Sequence, residues 1–426
     1  MHGLTTLEAG RSADRRRSAG RARRRVRAVA TLVCVALGGL MLGCASAFAG
    51  AADDVRVLIY DSAEATRIGP ESDPARVELS GDGLRVDGRD VGTRWRPEGA
   101  GPWRVGSRTV RGRIAVRAED GRIQVLNRIA IEDYVASTVG GEMSPSWPQE
   151  ALRAQAVAAR TYVLHEAAKR RSLDFDVRAT AASQVYRGIG AETPQTRAAA
   201  EATRGEVLTF RGEPILAVFH STAGGRTATA AEVWGEDRPY LKSVEVEEEE
   251  DAPHTYWRTE FTREDLGRVF AADGVAADPL DGIAVTRRTR SGRVERLELR
   301  SGGRVEELRG RAVRDLASSL GLRSTLFDVK TTRDGFAFVG SGYGHGVGMS
   351  QWGARAMAKR GDAYPRILAR FYPGTRLVRW STRSVAAPFN RAAAPNGAAA
   401  PTAGAPPVGA GPADAPEEGA PRGEIR

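Results

Sequence analysis

Between residues 55 and 130 the chain repeats one local pattern, short apolar runs broken by Gly, Asp and Arg. The runs are VRVLIY, RVELS, GLRVDG, TRWRPEG and GRIAVRAEDGRIQVLNRIAI. Apolar residues at every second position put alternate side chains on opposite faces of an extended chain, so these segments are expected as half-buried strands joined by tight turns. The Asp120-Gly121 pair suits a two-residue hairpin. Helices follow rather than alternate. IEDYVASTV, residues 131–139, carries acids in its first turn and is predicted to end at Gly140-Gly141. Ser146 and Gln149 have the spacing of a capping box opening a second helix that runs to about Lys169. Leu152, Ala156, Ala159 and Val163 form a narrow stripe of mostly small residues on it, with Arg160 on the flank. Residues 205–219 are expected as a strand pair, residues 245–251 as a solvated acidic loop, and residues 281–308 as a further hairpin. RAVRDLASSLGL should be a helix closed by Gly321, and residues 336–361 a strand, a glycine loop and a helix. This is a mixed α+β pattern, mainly antiparallel sheets with a few helices, in one compact unit over about 53–384 with room for two lobes.

The two ends read differently. Residues 1–49 join a basic segment, RRRSAGRARRRVR, to an apolar run that closes on Ala47-Phe48-Ala49, a small-x-small cleavage signal for export. LMLGC also suits lipid attachment at Cys44, and the apolar run is long enough to anchor an uncleaved chain in a bilayer. Each alternative places the rest of the chain at the cell envelope, periplasmic or extracytoplasmic. Both cysteines, Cys34 and Cys44, fall in this leader, so once it is cleaved neither a disulfide nor a thiolate metal site remains. Stability then rests on a buried core of roughly 330 residues. Formal charge is +10, but nine arginines against Glu8 and Asp14 give the leader a net +7, leaving +3 for the remainder. The basic balance therefore gives no argument for a nucleic-acid partner. Residues 385–426 are Ala, Pro and Gly with almost no large apolar side chains, a disordered composition.

The glycine loop GSGYGHGVGMSQWG lacks G-K-[ST], and its glycines recur at every second residue, unlike a dinucleotide fingerprint. GMSQWG has one residue too many before its last glycine for a nucleophile elbow. Beyond the leader the histidines are His165, His220, His254 and His345, with no H-E-x-x-H and no close pair, so neither a metal nor another cofactor is called for. His345, among glycines, and His220, before STAGG, suit either a ligand-facing role or bonds to their own loops. Glu142 stands in GGEMSPSWP, flanked by glycines and prolines that stiffen the backbone, with Met143 and Trp147 as an apolar wall. A solvated loop acid is the plain reading. A partly desolvated carboxyl with a raised pKa is the functional one. Tyr343, Gln351 and Trp352 in the glycine loop are of types that suit a sugar ligand.

Taken together, GGEMSPSWPQEALRAQAVAARTY, FHSTAGGRTATAAEVWG and YGHGVGMSQWGARAMAKRG resemble the stage II sporulation protein D family, also called the SpoIID/LytB domain family. The resemblance runs in the family's order across about residues 53–384, so a SpoIID/LytB-like domain is expected over 50–384. It implies peptidoglycan as substrate and lytic transglycosylase activity on glycan strands stripped of stem peptides. The family's catalytic glutamate matches Glu142, its AARTY-block arginine matches Arg160, and a tyrosine and lysine beyond the W-G block match Tyr240 and Lys242. Arg160 and Lys242 are expected to hold the lactyl carboxylate or a transition-state charge, and Tyr240 to position the sugar. Arg160 should face substrate rather than Glu142, because an adjacent cation would lower the acid's pKa. His220, His345 and Gln351 complete the expected substrate-binding set. Some members bind zinc through cysteines and a histidine, which a cysteine-free mature chain should not. Others enhance a partner amidase, so a noncatalytic, peptidoglycan-binding enhancer of a cell-wall amidase stays open as the alternative.

Overall fold

The computed structural model describes residues 54–98, 101–170, 174–180, 183–247, 249, 251–275 and 279–380. The expected leader and the expected disordered tail lie outside the described residues. Within them the fold is α+β, with mostly antiparallel sheets.

The period-two pattern becomes strands. Arg122–Ala130 buries Ile123, Val125, Asn127 and Ile129 on one face and pairs with Arg113–Glu119, Val125 lying opposite Val116. Asp120 and Gly121 between them take φ of 51° and 68°, the left-handed pair that a type I′ turn requires. This hairpin sits in a five-stranded sheet ordered Val177–Arg178, Asp54–Ser62, Arg122–Ala130, Arg113–Glu119, Arg94–Trp95, in which the first pair is parallel and both pairings of Arg113–Glu119 are antiparallel. A six-stranded sheet from residues 66–110 adds Ile68, Val77, Leu84, Trp103, Val105 and Val110 to the same core.

The helices, in order, are α1 (Ile131–Glu142), α2 (Gln149–Lys169), α3 (Pro194–Ala202), α4 (Ala230–Trp234), α5 (Arg263–Ala272), α6 (Arg311–Ser319), α7 (Gln351–Lys359) and α8 (Tyr364–Phe371). Among the described residues none is long and apolar enough to cross a membrane. α2 is the centre of the domain. Its residues 154–163 are buried on every face, not along one stripe, because α1, α3, α7, α8 and the strand Glu206–Phe210 surround it. Its alanines, at 151, 154, 156, 158 and 159, let five elements come close to one axis.

Two boundaries differ from expectation. α1 does not stop at Gly140-Gly141 but runs through both to Glu142. A Cβ on Gly140 would lie 1.8 Å from the Ala191 carbonyl oxygen, and one on Gly141 would lie 2.2 Å from that of Val185. The glycines therefore serve close backbone approach, not helix termination. The predicted capping box is also absent: Pro148 holds the N-cap of α2 without a side-chain bond, and Ser146 Oγ instead meets Ser144 Oγ at 2.9 Å.

A second, separate core lies in residues 256–341. The sheet of Tyr256–Thr262, Gly335–Ser341 and Phe327–Thr331 and the sheet of Leu280–Arg288, Val294–Ser301 and Arg304–Arg309 close with α5 and α6 around Trp257, Phe270, Leu297, Phe336 and Phe338. The acidic run before it is not wholly solvated. Glu249 is 5 % exposed, and its carboxylate accepts N–H bonds from Ala223 (2.9 Å) and Gly224 (2.9 Å) and the hydroxyl of Ser350. Three fixed donors offset the cost of burying that charge.

Candidate active site

Glu142 closes α1 and is 2 % exposed. One carboxyl oxygen, Oε1, accepts the Val185 N–H at 2.7 Å, a bond the glycine at 141 makes possible by letting that backbone approach. The other, Oε2, is buried without a hydrogen-bond partner. Burial pushes the carboxyl up from the usual value to about 7, opposed by the Val185 N–H, the Gln351 amide and the Arg187 charge. Position at the C-terminal end of α1 acts in the same direction as burial, since the helix pole there is already negative. The plain reading of a solvated loop acid is thus replaced by an enclosed acid that holds its proton near neutrality.

The glycine loop reaches this acid from more than 200 residues away in sequence. Gln351, 2 % exposed, donates from Nε2 to the Glu142 carbonyl at 3.3 Å. The next residue, Trp352, meets Trp147 edge to face at 5.0 Å, and Arg355, one turn along α7, stacks over Trp352 at 4.6 Å and over Trp147 at 5.6 Å. Trp147, Trp352 and Arg355 are all partly exposed. α7 is anchored for this by Ser350, whose Oγ accepts the Gly353 N–H at the helix start and itself bonds Glu249.

Four alternate glycines shape the loop: Gly342, Gly344, Gly346 and Gly348 have φ of 77°, 102°, 79° and 73°. A Cβ on Gly346 would meet the Arg293 guanidinium at 2.0 Å, and one on Gly348 the Val218 carbonyl oxygen at 2.1 Å. The spacing that matched no nucleotide motif is therefore a packing pattern. The loop lies against Phe219–His220, which pairs in parallel with Met349–Ser350. His220 Nδ1–H donates to the Val347 carbonyl at 3.1 Å, while His345 Nδ1 accepts the Val347 N–H at 3.0 Å. Their rings lie 5.5 Å apart, and Trp234 packs on His345 at 5.4 Å. Burial keeps both neutral, lowering His345 to about 4 and His220 well below its ordinary value. Each Nε2 is left without a partner.

Other expected site residues fall elsewhere. Arg160 does not face open space. It is 1 % exposed, pairs with Glu132 (Nη2–Oε2 2.5 Å, Nε–Oε1 3.0 Å) and donates to the carbonyls of Ala200 and Glu206 at 3.1 Å each. That guanidinium ties α1, α2, α3 and the following strand together, and no donor is spare for a sugar. Tyr240 is buried against Phe210, its hydroxyl accepting the Leu216 N–H at 3.3 Å. The Lys242 side chain is exposed, and among the described residues no hydrogen bond joins it or Tyr240 to Glu142. Tyr343 turns toward His254 (5.1 Å) and Arg323 (5.8 Å) instead of toward Gln351. Sequence reasoning missed Arg187, Glu249 and Arg355. Only Arg355 carried a signal, its i+4 spacing from Gln351 on a helix. Among the described residues no group of three or more His, Cys, Asp or Glu is placed to hold a metal ion.

Comparison with known proteins covers the Glu142 side of this geometry. Residues 119–210, which hold Glu142 and α2, match the family model described as stage II sporulation protein, and residues 241–348 match a domain of unknown function. An uncharacterised protein of Brachyspira hyodysenteriae is 34 % identical over 60 % of this chain and 69 % of its own length. Stage II sporulation protein D of Bacillus subtilis is 32 % identical over 60 % of this chain and 76 % of its own. The amidase enhancer of the same organism is 29 % identical, over 57 % of this chain but only 40 % of its own length. On these matches the chain belongs to the stage II sporulation protein D family.

Proposed function

We propose that this protein is a peptidoglycan lytic transglycosylase that cleaves the MurNAc–GlcNAc linkage, with Glu142 as both acid and base. The observation that carries this reading is the Glu142 carboxyl itself: enclosed, held by one backbone N–H, one oxygen unpartnered, and raised to about 7. A general acid works best with a pKa near the working pH. From Oε2 the proton passes to the glycosidic oxygen as the bond to the anomeric carbon breaks. The resulting carboxylate then takes the proton of the muramic acid's own C6 hydroxyl as that oxygen bonds the anomeric carbon, leaving a 1,6-anhydro end and the acid regenerated. Because the nucleophile belongs to the substrate, one carboxyl suffices where most glycosidases use two. With 2 % of Glu142 exposed, the sugar reaches Oε2 only as the side chains over it part, so binding and exposure of the acid are coupled. Export, read from the leader, belongs to the same proposal, since the substrate lies outside the cytoplasm.

The test is digestion of purified, amidase-treated sacculi by wild type and Glu142→Gln, with products read by mass spectrometry. Anhydro-ended products from wild type alone are expected. None from wild type ends the enzymatic reading, and equal release by the variant removes Glu142 from the chemistry. The likeness to an amidase enhancer favours a second reading, a noncatalytic binder that activates a cell-wall amidase. Stimulation of an amidase by Glu142→Gln as strong as by wild type, without glycan cleavage by either, would select it.

A further inference from the structure

We infer that Arg355, presented by Trp147 and Trp352, is the residue that recognises the free lactyl carboxylate of a stripped muramic acid. This rests on the glycan reading above and assigns to Arg355 the task that the buried Arg160 cannot perform.

Three observations meet at this side chain. First, Arg355 is unoccupied by any anion of its own: no carboxylate among the described residues pairs with it, and its Nε is buried without a hydrogen-bond partner. Its planar fork is thus available to a carboxylate from outside the chain. Second, its position is held. The guanidinium stacks over Trp352 at 4.6 Å and Trp147 at 5.6 Å, and those rings brace each other edge to face at 5.0 Å. Stacking fixes the plane of the guanidinium and leaves its edge for bidentate bonding to a planar anion. The same rings, partly exposed, give the apolar faces of pyranose sugars a surface. Third, it shares a helix face with the residue that touches the acid. Gln351, whose amide donates to the Glu142 main-chain carbonyl, is four residues before Arg355 on α7, so their Cβ atoms are about 6 Å apart.

The lactyl group of muramic acid carries a carboxylate only when no stem peptide is attached; an amide stands there otherwise. Arg355 therefore makes a strand's peptide-free state visible as a negative charge held against the tryptophan pair. The aromatic pair alone would bind either form.

The experiment uses full-length Glu142→Gln protein, which keeps strands intact, and soluble amidase-treated glycan strands. A second sample has its carboxylates reduced to alcohols by carbodiimide activation and borohydride. Glu142→Gln is expected to bind the carboxylate strands about tenfold more tightly than the reduced ones. The Glu142→Gln/Arg355→Gln protein should bind both alike, at the level of the reduced strands. Arg355→Lys, which keeps the charge without the fork, should restore part of the difference and guards against a folding artefact. Equal binding of the two strand types by Glu142→Gln, or full discrimination retained without Arg355, overturns the inference. Discrimination that depends on Arg355 in a protein that releases no anhydro ends would leave it standing while the catalytic reading falls. Cleavage with discrimination unchanged in the Arg355 variant would do the reverse.

Discussion

Replacing Glu142 by Gln should make the protein more stable at high pH, and the amount follows from the site. Gln keeps an oxygen for the Val185 N–H and puts an amide where the unpartnered Oε2 stands, so it imitates the protonated acid. In the unfolded chain the carboxyl titrates at 4.5, and in the folded chain at about 7. Between those values the folded state holds a proton that the unfolded state has released, so the free energy of unfolding falls as pH rises. The contribution is complete below 4.5 and lost above about 7. A shift of this size, at about 1.4 kcal/mol for each tenfold, amounts to about 3 kcal/mol. Equilibrium urea unfolding of both proteins, followed by tryptophan fluorescence from pH 4 to pH 8.5, measures it. The variant's advantage should grow by about 3 kcal/mol across that range, other titrating groups cancelling in the difference. Parallel profiles would show that Glu142 ionises as easily inside the fold as outside it. The case for a poised acid would then be gone.

Three other outcomes are expected. Release of anhydro ends should fall about tenfold per pH unit above pH 7, and Arg187→Gln, which removes a charge that lowers the acid, should move that fall upward in a pH–rate profile. Arg160→Gln leaves Glu132 largely buried without its partner and should cost about 3–5 kcal/mol in denaturant unfolding, with little change in KM for whatever fraction stays folded. Gly141→Ala pushes a methyl to 2.2 Å from the Val185 carbonyl oxygen; a loss of about 1–3 kcal/mol should follow in denaturant unfolding as the backbone moves.

What was legible in the sequence was what neighbours along the chain decide. The Asp120-Gly121 hairpin, the alternation through Arg122–Ala130 and the start of α1 with Glu132 and Asp133 in its first turn all depend on contacts within a few residues. Errors arose where a distant segment overrode a local rule. Gly140-Gly141 looks like a helix stop until the backbone of residues 185–191 is seen pressed against it. Arg160 looks free until Glu132, Ala200 and Glu206 are seen around it. Glu249, inside an acidic run, is indistinguishable from its solvated neighbours until the amides of Ala223 and Gly224 close on it. For the candidate site, the motif pointed to Glu142, but the meeting of Trp147 with Trp352 and Arg355 spans some two hundred positions and leaves no local trace.

The segment with its own core enters and leaves through one doorway. Tyr256 begins its first strand and Ser341 ends its last, and the two are paired across the same ladder. The module is not freely exchangeable, however: Arg293 within it reaches out to the carbonyls of Ala223 and Arg226 and fills the space beside Gly346, so the glycine loop is shaped partly by a side chain that this doorway admits. A change in that module would therefore be felt first in the loop that hands Gln351 to Glu142, while the helix that carries the acid stayed as it is.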